Sequence, residues 1–379
     1  MLPLTGIRVV EFCQVLAGPF CGALLADMGA DVIKVEPPDG DLMRAWPPMM
    51  EGYSQYFASV NRNKRSVVLD LKDATGLASA RELALSADVV LENFRPGVMA
   101  KFGLDYETLS KAKPSLIYCS ISAFGQTGPR AKEGGFDMTI QAMSGVMSVT
   151  GEPGSRPVKC GLPLADFGSG LYAAFAVASS LIRVQSGERG DHIDVSMLGS
   201  MVGMAHLQTS ELFGTGSDPV PLGSAHPMNA PYAAFACRDG YVALAAGTNK
   251  LWEAACEGIG RQDLLRDERF GSPTLRATNQ DALRDLLESA FAEYDAAQLL
   301  AIFRERGVPC APINNYSQVL ADAQVRHLDL VDEMTLPNGV TSKVVISPQR
   351  VSGERLGVYR NPPALGEHTE EVLAEVSKR

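Results

Sequence analysis

The segment Ala165-Asp166-Phe167-Gly168-Ser169-Gly170 places a carboxylate at the head of a helix-patterned run, with two glycines close behind it. Residue preference by itself makes Asp166 a helix N-cap, accepting from the unpartnered N–H groups of the first turn. Gly168 and Gly170, like Gly134-Gly135, suit a place where backbone approaches a bulky ligand; ordinary turn geometry is the other reading. A second chemically active group lies earlier in the chain. Arg62, Lys64, Arg65 and Lys72 crowd one short stretch, and Lys101 follows the Asn93-Phe94 turn. Such cations suit phosphate, and a solvated charged loop accounts for them equally.

Spacing and composition argue against several chemistries. The turn after the first apolar run reads Cys13-Gln14-Val15-Leu16-Ala17-Gly18-Pro19, which is not GxGxxG, and Pro19 removes a donor. Nicotinamide or flavin binding is therefore disfavoured. There is no P-loop, and Gly168-Ser169-Gly170 lacks the spacing of a nucleophile elbow. Seven cysteines form no CxxC pair and five histidines no HExxH, so no metal site is expected, and reduced thiols in a cytoplasm fit better than a disulfide framework. A net charge of −10 disfavours nucleic acid. The first residues carry no basic, apolar leader, and the longest apolar run, 171–182, is too short to span a bilayer, so no membrane partner is expected.

The elements that must position these residues alternate along the first half. Apolar runs of strand length at Ile7–Phe12, Asp31–Glu36, Ser66–Leu71, Asp88–Glu92 and Leu116–Ser120 alternate with helix patterns at Pro19–Met28 and Ala74–Ser86. This alternation predicts a parallel, Rossmann-like sheet. Helices are expected over Asp137–Ser148 and Phe167–Val184, then a strand at His192–Met197. The expected division is a large domain over 1–200, a linker over 201–231 and a small α+β domain over 232–312. Residues 313–379 would then return to the large domain.

Four segments stand out together: Leu4–Phe12 with Val15–Pro19 and Gly29–Pro38; Asn61–Ser66 with Leu69–Lys72; Glu92–Gly97; and Ala165–Gly170 followed by Arg189–Ser196. Jointly they resemble the class III CoA-transferases, the family of formyl-CoA transferase and the carnitine and bile-acid CoA-transferases (CaiB/BaiF type). Similarity continues through Gly307-Val308-Pro309 and Gly366-Glu367-His368-Thr369. The resemblance implies a Rossmann-like large domain with a smaller α+β domain, in an interlocked, ring-like homodimer. It implies Asp166 as a nucleophile that carries CoA as an aspartyl thioester, with acyl-CoA and a small carboxylic acid as substrates and no permanently bound cofactor. It makes Val15, Leu16, Ala17, Leu71, Lys72, Asn93, Phe94, Lys101, Phe136 and Asp137 contacts for CoA. Relatives often have Gln at the position of Leu16, so any oxyanion donor there is a backbone N–H, with Gln14 as a substitute side chain. Pro37 stands where some relatives carry a basic residue, a contact that Arg44 is positioned in sequence to replace.

Related α-methylacyl-CoA racemases are the alternative, but they carry a His where this chain has Phe136, and Phe136 cannot take a proton. A racemase reading would need His206 or His226 to enter the site. A non-catalytic acyl-CoA-binding protein is a third reading. The acids are left open, with a lean toward short dicarboxylates and Arg44, Arg130 and Arg156 as candidate clamps for a second carboxylate.

Overall fold

A computed structural model describes residues 1–378. The chain divides into two compact units. The first comprises Met1–Val146, Lys159–Gly216 and Ala323–Arg379; the second comprises Met147–Val158 and Ser217–Asp322.

The first unit is built on six strands: β1 (Arg8–Phe12), β2 (Asp31–Glu36), β3 (Lys64–Val68), β4 (Val89–Glu92), β5 (Ile117–Ser122) and β6 (His192–Ser196). Their spatial order is β3-β2-β1-β4-β5-β6, every pair parallel. Alternate residues face opposite layers, as the pleat requires. Val9, Val32, Val89 and Leu91 pack under α1 (Ala17–Asp27), while Val10, Ile33 and Val90 pack under α2 (Ala74–Ser86). Both faces are covered, so the strands are apolar nearly throughout.

Three charged residues break that pattern on adjacent strands. Glu11, Lys34 and Lys64 have no exposed side-chain surface. Lys64 Nζ lies 2.9 and 3.0 Å from the Glu11 carboxylate and also donates to Pro19 O and Asn61. Lys34 Nζ lies 2.8 Å from Asp41 and donates to Cys13 O at 2.7 Å. Gly22 of α1 leaves room for this cluster, since a Cβ there would stand 1.9 Å from Glu11 Oε2. β3 begins two residues earlier than the apolar pattern predicts because Lys64 and Arg65 lie inside it, each with carboxylate partners. Arg65 reaches Asp31, Glu371 and Glu375, and Arg62 pairs with Asp27. Arg62, Lys64 and Arg65 of the basic stretch are structural, neither a solvated loop nor a phosphate site.

The outer edge of β3 is covered by the C-terminal segment. Val68 N–H donates to Thr369, His368 N–H to Ser66 O, and Asn63 accepts from Tyr359 and Arg360 N–H. The segment therefore satisfies part of an edge that would otherwise be open to pairing.

Helices after β5 differ from expectation in their ends. The run 137–148 is two helices, α3 (Asp137–Met143) and a turn at Val146–Val149, separated by Gly145 with φ +87°. The next helix, α4 (Leu164–Gln185), has 22 residues and is long and apolar enough to cross a bilayer by length and composition. It is nonetheless a core helix on one side, with Ala173, Val177 and Leu181 buried against α1 and the sheet. Residues 201–216, expected as linker, are helical: α5 (Met197–Met204) is followed by α6 (His206–Thr215), which ends at Gly216 in the left-handed region. The glycines that suggested a linker mark that C-terminus.

The second unit carries a three-stranded antiparallel sheet of Tyr232–Cys237, Gly240–Ala245 and Cys310–Pro312, with helices including Asn249–Gly258, Gln280–Phe291 and Ala296–Glu305. Its own core holds Phe235, Trp252, Phe270, Phe291 and Phe303. Arg276, 1% exposed, donates to the Ala230, Phe270 and Gly247 carbonyls.

Removing one partner of a buried ion pair strands the other charge, at a cost of about 3–5 kcal/mol. Lys64→Met should lower unfolding stability by that order, and Glu11→Leu/Lys64→Met should recover most of it; denaturant titration of the three proteins makes the comparison.

Candidate active site

In open parallel sheets a ligand crevice forms at the carboxyl ends of the strands where their order reverses. Here that point lies between β1 and β4. The residues leaving those strands, Gln14–Ala17 and Asn93–Pro96, form two walls of a cleft of about 440 Å³. Ile121–Ala123, Glu133–Phe136, Leu42, Met197 and Asp166 complete it.

The first wall is held in an uncommon conformation. Val15 has φ +65°, a costly choice for a β-branched residue. Its N–H is fixed by Asp41 at 3.1 and 3.2 Å, and Asp41 is in turn held by Lys34. Burial works against charge on Asp41, but Lys34 and the N–H groups of Met43 and Val15 outweigh it and hold the carboxyl below the usual range. Asn93 grips the preceding residue twice, accepting from Gln14 N–H at 2.9 Å and donating to Gln14 O at 2.8 Å. The two walls are thereby joined across the switch point. α1 then starts at the cleft with no side-chain cap on its first turn. Its leading N–H groups are the natural place for a developing negative charge.

Asp166 reaches this end of α1 because two helices approach closely. A Cβ on Gly170 of α4 would lie 2.8 Å from Phe20 and 2.9 Å from Ala17 O of α1, and Phe20 meets Phe167 edge-on at 4.8 Å. Asp166 is the third residue of α4 and is not its cap. That work is done from α3, where the Asp137 carboxylate accepts from Ala165 N–H at 2.9 Å and from Gln141 at 2.8 Å. The Asp166 carboxylate accepts no hydrogen bond from the described residues. Burial, then the charge of Asp137, pushes its pKa up to about 7. A desolvated carboxylate free of hydrogen bonds is a stronger nucleophile than a capped one.

The expected contact residues separate into two groups. Val15, Leu16, Ala17, Asn93, Phe94 and Phe136 line the cleft with Asp166, Phe136 with 76% of its surface exposed. Arg44, Leu71, Lys72, Lys101 and Asp137 do not line it. Arg44 cannot replace a basic residue at Pro37, because its guanidinium is bidentate to Glu36 at 2.7 Å and packs on Phe57. Leu71 packs against the core on the α2 side, and Lys72 and Lys101 are exposed. Of the clamp arginines, Arg130 pairs with Glu133 on the surface and Arg156 belongs to the second unit. The cation lining the cleft is Arg95, which enters no ion pair among the described residues and fits against Gly134, where a Cβ would stand 2.4 Å from Nη2. Arg95 lay inside the recognised Glu92–Gly97 segment without being singled out. No histidine lines the cleft, and among the described residues no cluster of His, Cys, Asp and Glu is placed to hold a metal ion.

The family model for CoA-transferase family III matches residues 4–369. The chain is 40% identical to a succinate–glutarate CoA-transferase of Agrobacterium fabrum, covering 99% of this chain and 96% of that protein. It is 38% identical to a succinyl-CoA:glutarate CoA-transferase of Mus musculus, over 99% and 87% of the two. A succinyl-CoA:mesaconate CoA-transferase of Haloarcula hispanica is 36% identical over 98% and 96%. The crystal structure of a CaiB/BaiF family protein from Brucella suis superposes with a TM-score of 0.88 at 40% identity, covering 99% of both chains.

Because the native state holds the Asp166 proton more tightly than an unfolded chain (ordinary pKa about 3.9), stability falls as pH rises between about 4 and 7 and is level above. Asp166→Asn should therefore raise unfolding stability at pH 8 by on the order of 1–3 kcal/mol, read as a higher thermal midpoint, and leave it nearly unchanged at pH 4. Asp137→Asn removes the repelling charge, so the acid limb of the rate profile should move to lower pH.

Proposed function

The chain belongs to CoA-transferase family III, and on that premise we propose that it moves CoA from an acyl-CoA to a small dicarboxylic acid through a thioester on Asp166. The observation that carries this reading is the Asp166 carboxylate, half-buried in the cleft and relieved of capping by Asp137. In the forward step an Asp166 oxygen attacks the thioester carbonyl, the C–S bond breaks, and CoA thiolate leaves a mixed anhydride. The thiolate then attacks the Asp166 carbonyl, the donor acid departs as carboxylate, and aspartyl-CoA remains. The acceptor carboxylate repeats the sequence in reverse, with no net proton change. The N–H groups of Leu16, Ala17 and Gly18, where the turn runs into α1, would receive the oxyanion.

The dicarboxylate reading draws on the relatives named for succinate, glutarate and mesaconate, and on Arg95 as the cation of the cleft. Val15, Leu16, Ala17, Asn93, Phe94 and Phe136 would contact the thioester end of CoA, leaving exposed Lys72 and Lys101 for its phosphates. A racemase needs titratable groups on both faces of the α-carbon, and Phe136 offers none. An apolar strip of α4 (Leu171, Tyr172, Phe175 and Ile182) is exposed in the single chain and supports a homodimer, read here as the interlocked ring of the family. Buried free thiols at Cys13, Cys21 and Cys119 suit a reducing cytoplasm.

Mass spectrometry after incubation with a panel of acyl-CoAs, with borohydride or hydroxylamine trapping, tests the reaction. A CoA-sized or trapped adduct on the Asp166 peptide, lost in Asp166→Ala together with at least about a thousandfold of turnover, is the expected result. Absence of any adduct despite CoA binding, or exchange of an α-proton with D₂O from a 2-methylacyl-CoA, would overturn it. Arg95→Gln should raise the KM of a dicarboxylate acceptor about tenfold or more through loss of a charge-assisted contact.

A further inference from the structure

Glu92 ends β4 directly behind the second wall of the cleft. Only 4% of its surface is exposed, and no cation pairs with it among the described residues. Its Oε2 accepts from Phe94 N–H at 2.8 Å, closing the turn that presents Asn93 and Phe94. Its other partner is the side chain of Ser120, its register neighbour on β5. Ser120 Oγ lies 3.1 Å from Nε2 of His192 on β6. The imidazole is stacked on Tyr106 at 4.9 Å and 19° and meets Tyr118 edge-on. Three polar groups thus cross three adjacent strands and end on the backbone of the cleft wall.

This chain has two self-consistent hydrogen-bond directions. With Glu92 as the acid, its O–H donates to Ser120, and the Ser120 hydroxyl donates to His192 Nε2. With Glu92 as the carboxylate, Ser120 donates to Glu92, and Nε2–H of the other imidazole tautomer donates to Ser120. Phe94 N–H donates in both, but only the second makes that bond charge-assisted and short. The groups facing Glu92 are Cys13 just after β1, Tyr118 and Cys119 from β5, and Asp194 from β6. Those facing His192 are Asp194, Asp105 and Glu107. None is a cation, so nothing locks Glu92 in its charged form. Burial pushes the pKa of Glu92 up to about 7 and draws that of His192 below its ordinary value.

We propose that Glu92, through the Ser120–His192 chain, is a positioning residue that tightens the Asn93–Phe94 turn when ionised and so raises the affinity of the cleft for CoA. The consequence spreads past Phe94, because Asn93 holds both backbone groups of Gln14 on the opposite wall. The proposal rests on CoA occupying this cleft.

Calorimetric binding of CoA from pH 6 to pH 8.5, in an Asp166→Asn background that removes the other titrating carboxyl, separates the two. The dissociation constant should fall about three- to tenfold as pH rises through neutrality, the difference between a neutral and a charge-assisted bond. Glu92→Gln retains an acceptor for Phe94 and a donor for Ser120, and should hold the weaker, acid-side value at every pH. His192→Phe keeps the stacking surface and leaves the Ser120 hydroxyl to donate only to Glu92, so the midpoint should move to lower pH. A merely structural role for these side chains would not move that midpoint. CoA binding that is equally pH-dependent in Glu92→Gln, or independent of pH in the unsubstituted background, would overturn the proposal while leaving the transferase reading intact. No CoA binding at any pH would overturn both.

Discussion

The buried charges on β1, β2 and β3 are the constraint on which the cleft depends. Ions without solvent are stable only where each has a partner in good geometry, and here Glu11, Lys34 and Lys64 come from three different strands and Asp41 from outside them. Lys34 is the pivot, because it ties the sheet to Asp41 outside it, and Asp41 is what holds Val15 in the left-handed region. Apolar residues of the same volume would pack the sheet at least as well, but could not specify where the Val15 N–H points. Stability is therefore a poor explanation for the network; fixing one turn of backbone is a better one.

The same economy governs the carboxylates. Asp137 and Asp166 lie near the start of the same helix, yet one is saturated with hydrogen bonds and the other has none. Those bonds fix the Asp137 carboxylate beside Asp166. Burial, then the charge of Asp137, raises the proton affinity of Asp166, so a group with two possible roles is left with one. Glu92 shows a third arrangement, buried and hydrogen-bonded but without a cation, and so responsive to the proton.

Much of this was legible in the sequence, for stated reasons. Strands such as Asp31–Glu36 and helices such as Ala74–Ser86 and Ala296–Glu305 fall where periodicity puts them, because burial on one or two faces writes a period into the residues. Asp166 was found through the company it keeps along the chain. What could not be read was partnership over distance. Nothing local tells Lys64, fully buried, from Lys72, exposed a few residues later, since Glu11 lies 53 residues away. Nothing local assigns the cap of α4 to Asp137, 28 residues before the N–H it serves. Arg44 matched a vacant role by sequence position, but Glu36 had already engaged it. Charged residues inside apolar strands were the available signal, and they point inward more often than a surface reading allows.

The covering of β3 has a consequence for how the protein is made. Ser66 and His368, which meet at that edge, are 302 residues apart, and the whole second unit is synthesised between them. On a ribosome adding about 5–20 residues per second, the strand edge waits tens of seconds for its cover, long enough for the second unit to fold on its own core. During that interval the outer edge of β3 lacks its cover, and Arg65, though paired with Asp31, lacks Glu371 and Glu375. The length of that interval is set by the chain synthesised between strand and cover, the second unit included, and not by the difficulty of folding the sheet.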